Sequence, residues 1–122
     1  MIKEKNDVDQ LVNFIINAIL SKKGIEVVSM NLKEIPSRVC DFFIICHGTS
    51  TTHIQTIRDS VVEEVFNSLK EKPWHIEGSN NSNWLLIDYS NVVVHVFLEN
   101  ARKFYDIESL WADAIITKHN DI

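Results

Sequence analysis

The stretch from Asn83 to Leu98 limits what this chain can fold into more than any other part of it. Two runs rich in aliphatic, β-branched and aromatic residues flank Ser90-Asn91, the pattern of a β-hairpin closed by a two-residue turn. That turn length sets the register: Trp84 opposite Phe97, Leu85 opposite Val96, Leu86 opposite His95, Ile87 opposite Val94, Asp88 opposite Val93 and Tyr89 opposite Val92. Opposed residues share a face of the sheet. One face then holds Leu85, Ile87, Tyr89, Val92, Val94 and Val96, a surface built for a core, while the other mixes Trp84, Leu86 and Phe97 with Asp88 and His95. A slip of one residue would exchange the two faces, so the whole assignment hangs on the turn.

A hairpin needs partners to bury that apolar face, and the rest of the chain supplies them. Val8, Leu11, Val12, Ile15, Ile16 and Ile19 recur at helical spacing after a cap at Asn6 or Asp7, with Lys22, Lys23 and Gly24 closing the helix. Residues 1–5 are expected to fray. Ile25 to Leu32 alternates imperfectly and reads as a strand, broken by Ile35-Pro36-Ser37. Val39 to Cys46 is apolar on both faces apart from Asp41, as in a central strand covered on both sides, and Asp41 reads as an anchor at its start. His47-Gly48-Thr49-Ser50-Thr51-Thr52 then leads into a helix carrying Ile54, Ile57, Val61, Val65 and Leu69, which Pro73 ends. Trp74 to Glu77 reads as a short edge strand and Gly78 to Ser82 as a polar loop. After the hairpin, Glu99 to Tyr105 forms a turn or short helix, and Asp106 caps a last helix, Ile107 to Asp113. Residues 114–122 read as an extension of that helix or a loose tail. The expectation is one α/β domain over residues 1–122, five strands with flanking helices, ordered from about residue 6 to residue 113.

Charge bears on partners. With 12 Lys and Arg against 17 Asp and Glu, the chain carries a net charge of -5, which argues against broad nucleic-acid binding and favours a basic protein partner. Cys40 and Cys46 lie in one apolar segment, pointing to the same strand face, and read as buried thiols of a reducing compartment. No apolar run approaches the ~20 residues of a membrane span, and the N-terminus has neither a secretory nor a transit composition. A cytoplasmic protein without membrane contact is expected.

The motifs of common chemistry are missing. Five histidines and two cysteines show no metal-ligand spacing, and Asp41 and Asp88 are single acids rather than a pair for magnesium. Asp88 and His95 are diagonal neighbours whose Cβ atoms stand ~7 Å apart, within reach of a hydrogen bond if both side chains lean together, but no nucleophile accompanies them. The loop from His47 to Thr52 resembles a phosphate-binding junction only loosely, with one glycine and no catalytic lysine, so capping by Ser50 or Thr51 is the preferred reading.

Several stretches recur together: Asp41 to Ser50, Glu77-Gly78, Trp84-Leu-Leu-Ile-Asp-Tyr89, Val92-Val-Val-His-Val-Phe97, Arg102, Phe104-Tyr105 and Leu110-Trp111. In order and spacing they closely resemble the ribosomal silencing factor family, also called Iojap. The resemblance implies a mixed sheet of nucleotidyltransferase-like topology lacking the catalytic acids, no enzyme activity, and no cofactor or metal. It also implies binding to the large ribosomal subunit through ribosomal protein L-fourteen, a steric block to small-subunit joining that lowers translation, and a homodimer off the ribosome. Organellar members assist large-subunit assembly. This chain departs from the family where His47-Gly48-Thr49-Ser50 replaces Ser-Gly-x-Ser and Asp88-Tyr89-Ser90-Asn91 replaces Asp-Tyr-Gly-Asp. A type I′ turn demands positive φ at both central residues, which strains Ser90.

The candidate partner-binding residues are Trp84, Tyr105 and Trp111 as aromatic anchors, Asp88 and Glu108 with Glu99 and Asp106 for charge complementarity, Tyr89 and His95 beside them, and Arg102. Arg102 pairs with an acid inside the fold or reaches across the interface. Each aromatic also has a core reading. The alternatives are a nucleotide-binding or phosphoryl-transfer enzyme of related fold, a large-subunit assembly factor, and a dimeric module whose mixed hairpin face serves its own copy.

Overall fold

The computed structural model describes residues 7–119. Asp7 caps the first helix, α1 (Val8–Ser21), by accepting from the Asp9 amide. Strand β1 (Ile25–Asn31) follows, then β2 (Phe42–Gly48), the long helix α2 (Thr51–Leu69), and the short strand β3 (His75–Glu77). The hairpin is β4 (Trp84–Asp88) and β5 (Val92–Leu98); two short helices, α3 (Glu99–Tyr105) and α4 (Ile107–Leu110), lead to β6 (Ile115–His119). The sheet has six strands in the order β3-β4-β5-β2-β1-β6, with β2 and β5 parallel at its centre and every other pair antiparallel.

The sixth strand corrects the expected helix extension or loose tail and the count of five. Ile115 pairs with Asn31 and His119 with Val27, and the Ser29 hydroxyl lies 2.8 Å from His119 Nε2. An edge strand with Ile115 and Ile116 both exposed has no buried face to impose alternation, which is why its pattern is weak. The helix expected to run to Asp113 stops at Leu110. The expected fraying of residues 1–5 and the alternative cap at Asn6 lie outside the described residues.

The sheet separates two cores. On one face α1 and α2 cover Phe42, Ile44, Cys46, Leu85, Ile87, Tyr89, Val92, Val94 and Val96, which is the predicted core face of the hairpin. On the other, Phe43, Ile45 and Phe97 pack with Val28, Met30, Leu32 and Ala101. Burial on both faces explains the continuous apolar run of β2. The imperfect alternation of β1 has a cause as well: a bulge between Ile25 and Val28, with Glu26 at φ 48°, inserts an extra residue and breaks the period, leaving Val27 in the first core and Val28 in the second. Cys40 and Cys46 do not share a face; Cys40 precedes β2 and belongs to the second core, Cys46 to the first. Burial pushes their thiols up to about 11 and about 12, so both are poor nucleophiles.

The hairpin register is the predicted one, from Trp84 opposite Phe97 to Asp88 opposite Val93, and the Tyr89 amide donates to the Val92 carbonyl at 2.8 Å. The turn itself differs from type I′. Only Ser90 has positive φ, 76°, because the Ser90 amide donates to Asp88 Oδ1 at 2.7 Å and the Asn91 amide to the Tyr89 carbonyl at 3.0 Å. Those two bonds need left-handed backbone at one residue, not two. Ser90→Gly is therefore expected to stabilise the fold by about 0.5–1 kcal/mol, relief of the Cβ clash outweighing the added freedom of the unfolded chain. Urea denaturation reads this, and a loss of stability would show that the turn is unstrained.

Candidate partner-binding surface

Strand alternation places Trp84, Leu86 and Asp88 of β4, His95 and Phe97 of β5, and Phe43 of β2 on the second face. Helices α3 and α4 cover only part of it, so its aromatic rings run from the interior to the surface. Phe97 is fully buried, with Trp84 stacked on it at 4.9 Å between ring centroids and Tyr105 against Trp84 at 4.7 Å. Phe104 meets Tyr105 edge to face at 5.1 Å and is 81% exposed. On the other side of Trp84, His95 lies edge to face with Phe43 at 4.8 Å, and Phe43 with Trp111 at 6.0 Å. Such offset and edge contacts hold each ring in one orientation.

Inside this ladder the Trp84 indole N–H donates to His95 Nδ1 at 3.2 Å. An indole only donates, so Nδ1 accepts and the imidazole proton sits on Nε2. His95 is 5% exposed, and burial lowers its pKa to about 4, which keeps the ring neutral. The side chains of Asp88 and His95 do not lean together into a hydrogen bond, because Asp88 is turned to the Ser90 amide and His95 to Trp84.

Arg102 resolves the question left open for it by pairing internally. Its Nε and Nη2 donate to the two carboxylate oxygens of Glu108 at 3.0 and 3.2 Å, a fork-to-fork pair. Nη1 donates to the Glu26 carbonyl at 2.7 Å, the Ile25 carbonyl at 3.3 Å and His47 Nδ1 at 3.0 Å. The β1 bulge is what aims those carbonyls at it. Arg102 thus ties α3, α4, β1 and β2 together. Burial, with the guanidinium alongside, holds His47 below the usual imidazole range, so His47 too is neutral with its proton on Nε2. That nitrogen is 3.5 Å from Glu99 Oε2, too long for a well-formed hydrogen bond. The exposed Glu99 has its pKa lowered first by a hydrogen bond from Lys103.

The predicted residues therefore fall into three groups. Trp84, Tyr105 and Trp111 come together in the ladder, with Tyr105 exposed and Trp84 and Trp111 half-buried. Tyr89, His95 and Arg102 are buried, Tyr89 in the first core on the opposite face from the ladder. Asp88 and Glu108 are half-buried and already hold the turn and Arg102. Sequence reasoning omitted Phe104 and Leu110 as site residues; they are 81% and 74% exposed, and Phe104 extends the aromatic surface through Tyr105. A signal existed in the adjacent pair Phe104-Tyr105, since neighbours on a helix point about 100° apart and cannot both face the sheet. Among the described residues no group of His, Cys, Asp and Glu is placed to hold a metal ion, and no helix is long and apolar enough to cross a membrane.

These features define a class: a single mixed α/β domain with a parallel pair at its centre and an aromatic surface half covered by short helices. The family model described as "ribosomal silencing factor during starvation" matches residues 5–122, and the chain belongs to that family. It is 40% identical over 108 residues to the ribosomal silencing factor RsfS of Halalkalibacterium halodurans, covering 86% of this chain and 88% of that one. A mouse protein named for mitochondrial assembly of the ribosomal large subunit is 35% identical over 77 residues, covering 61% of this chain and 33% of the mouse protein. A crystal structure of a Chromobacterium violaceum protein superposes with a TM-score of 0.81 at 27% identity, covering 88% of each chain. One from Bacillus halodurans gives 0.72 at 37% identity, covering 84% of this chain and 94% of that one.

Proposed function

We propose that this chain binds the large ribosomal subunit through ribosomal protein L-fourteen and blocks joining of the small subunit by occupying its place. The observation that carries the reading is Phe104 and Tyr105, exposed at the outer end of the ring ladder, with Leu110 and the acids Glu99, Asp106 and Asp113 exposed nearby in the sequence. Aromatic anchors within an acidic rim suit a basic protein surface better than nucleic acid. In such a complex the acids speed encounter and the rings slow release, so salt weakens the first and truncation the second.

Phe104→Ala combined with Leu110→Ala is expected to weaken capture of L-fourteen at least tenfold while leaving the melting temperature within a few degrees, since both side chains are exposed. Sedimentation of purified subunits with the wild-type chain tests the larger claim: joining at saturating protein equal to that without it would end this reading. Self-association of the free chain belongs to the same reading, supported by Ile115 and Ile116 exposed on the open edge of β6. The same runs report it, and a monomer would remove it. Large-subunit assembly is a second reading, supported by the name of the mouse relative.

A further inference from the structure

At the carboxyl ends of the two parallel strands the chain parts in opposite directions. From Gly48 it enters α2, which packs on the first core, and from Leu98 it enters α3, which lies on the second. Such a parting opens a crevice at the strand ends, the place where open α/β sheets bind ligands. Here it is a cavity of about 320 Å³ lined by His47, Gly48, Thr49, Leu98, Glu99 and Asn100.

His47 makes this more than a gap in the surface. Its side chain is 3% exposed, Nδ1 is engaged by Arg102, and Nε2 is buried without a hydrogen-bond partner. A buried donor left unpaired is costly, and the acceptor Glu99 Oε2 stands 3.5 Å off. The missing group must accept from His47 and can donate to Glu99. An ammonium cannot accept, and an oxyanion would meet the Glu99 carboxylate. A hydroxyl does both: an oxygen about 2.8 Å from each atom closes a triangle on that separation. Nε2 is covered as the side chains stand, so a sugar hydroxyl enters this corner as the exposed Glu99 side chain shifts to receive it.

The second part of the ligand follows from α2, which starts just beyond Thr49. Ser50 takes the His53 amide on its hydroxyl at 3.0 Å and the Ile54 amide on its carbonyl at 3.0 Å. The first two amides of this helix, Thr51 and Thr52, are thus left over by the cap at the positive end of a 19-residue helix, which favours a phosphate. Gly48 lets the helix sit this close, since a Cβ there would meet His53 and Ile54 at 2.9 Å. We propose that this crevice binds a free ribonucleotide, a ribose hydroxyl bridging His47 and Glu99 and the phosphate lying at the start of α2.

Calorimetry on the full chain tests this with the four ribonucleoside 5′-monophosphates, the matching 2′,3′-dideoxy compounds, the unphosphorylated nucleosides and a short oligoribonucleotide. At least one monophosphate is expected to bind with a sub-millimolar Kd, and removing the ribose hydroxyls or the phosphate is expected to weaken it tenfold or more. Glu99→Ala, a change at an exposed side chain, is expected to weaken it by a similar factor with the fold intact. No binding at millimolar concentration, equal binding of the dideoxy compounds, indifference to Glu99→Ala, or binding of the oligonucleotide alone would each overturn the proposal.

Discussion

Arg102→Ala is expected to destabilise the protein by about 3–5 kcal/mol, the range for removing one partner of a buried, hydrogen-bonded charge pair. The guanidinium is 7% exposed and serves Glu108, two carbonyls of the β1 bulge and His47 at once. Removing it strands those acceptors and leaves the Glu108 carboxylate half-buried without its counter-ion. Lysine does not repair the loss, because an ammonium has neither the fork that matches Glu108 nor the width to reach the bulge as well. Urea denaturation measures the change, and a loss below about 1 kcal/mol would show that the four elements hold together without this side chain.

Acid is expected to weaken the fold through His95 by about 3 kcal/mol. The sign follows from burial. Its pKa is lowered from 6.5 when unfolded to about 4 when folded, so between those values the unfolded chain binds the extra proton. Stability from this group is complete above pH 6.5 and is lost as pH falls toward 4. His95→Phe is expected to flatten this part of the stability profile, at the cost of an unpaired Trp84 indole at every pH. Denaturation midpoints between pH 7 and 4 check it; an unchanged slope in the variant would assign acid sensitivity elsewhere.

Much of the fold was legible because it rests on local rules. The hairpin register follows from turn length, Asp7 and Ser50 cap where a side-chain oxygen precedes an apolar repeat, and β2 shows burial on both faces as an unbroken apolar run. What escaped depends on distant partners. β6 is a strand only because β1 offers it an edge, and the bulge at Glu26 that breaks the period of β1 has no local signature. Arg102 could be assigned inward only once the Ile25 and Glu26 carbonyls were seen to face it. The partner surface was half legible, since Trp84, Tyr105 and Trp111 do share one ladder. Leu110 was missed because an exposed apolar residue in a short helix has the same composition as a buried one, and Phe104 because only its pairing with Tyr105 marks it.

The parallel pairing of β2 with β5 also has a kinetic side. Phe42 lies opposite Val92, fifty positions along the chain, so this centre of the sheet closes a long loop before it gains any contact. The hairpin forms from neighbours and needs no such closure. The ordering follows from entropy: β4 and β5 come as a preformed unit, and the slow event is their arrival at β2. Loop length enters that cost only logarithmically, with each doubling adding about 0.6 kcal/mol. The polar segment Gly78 to Ser82, carried inside the loop, is therefore where the chain could grow at least expense to folding.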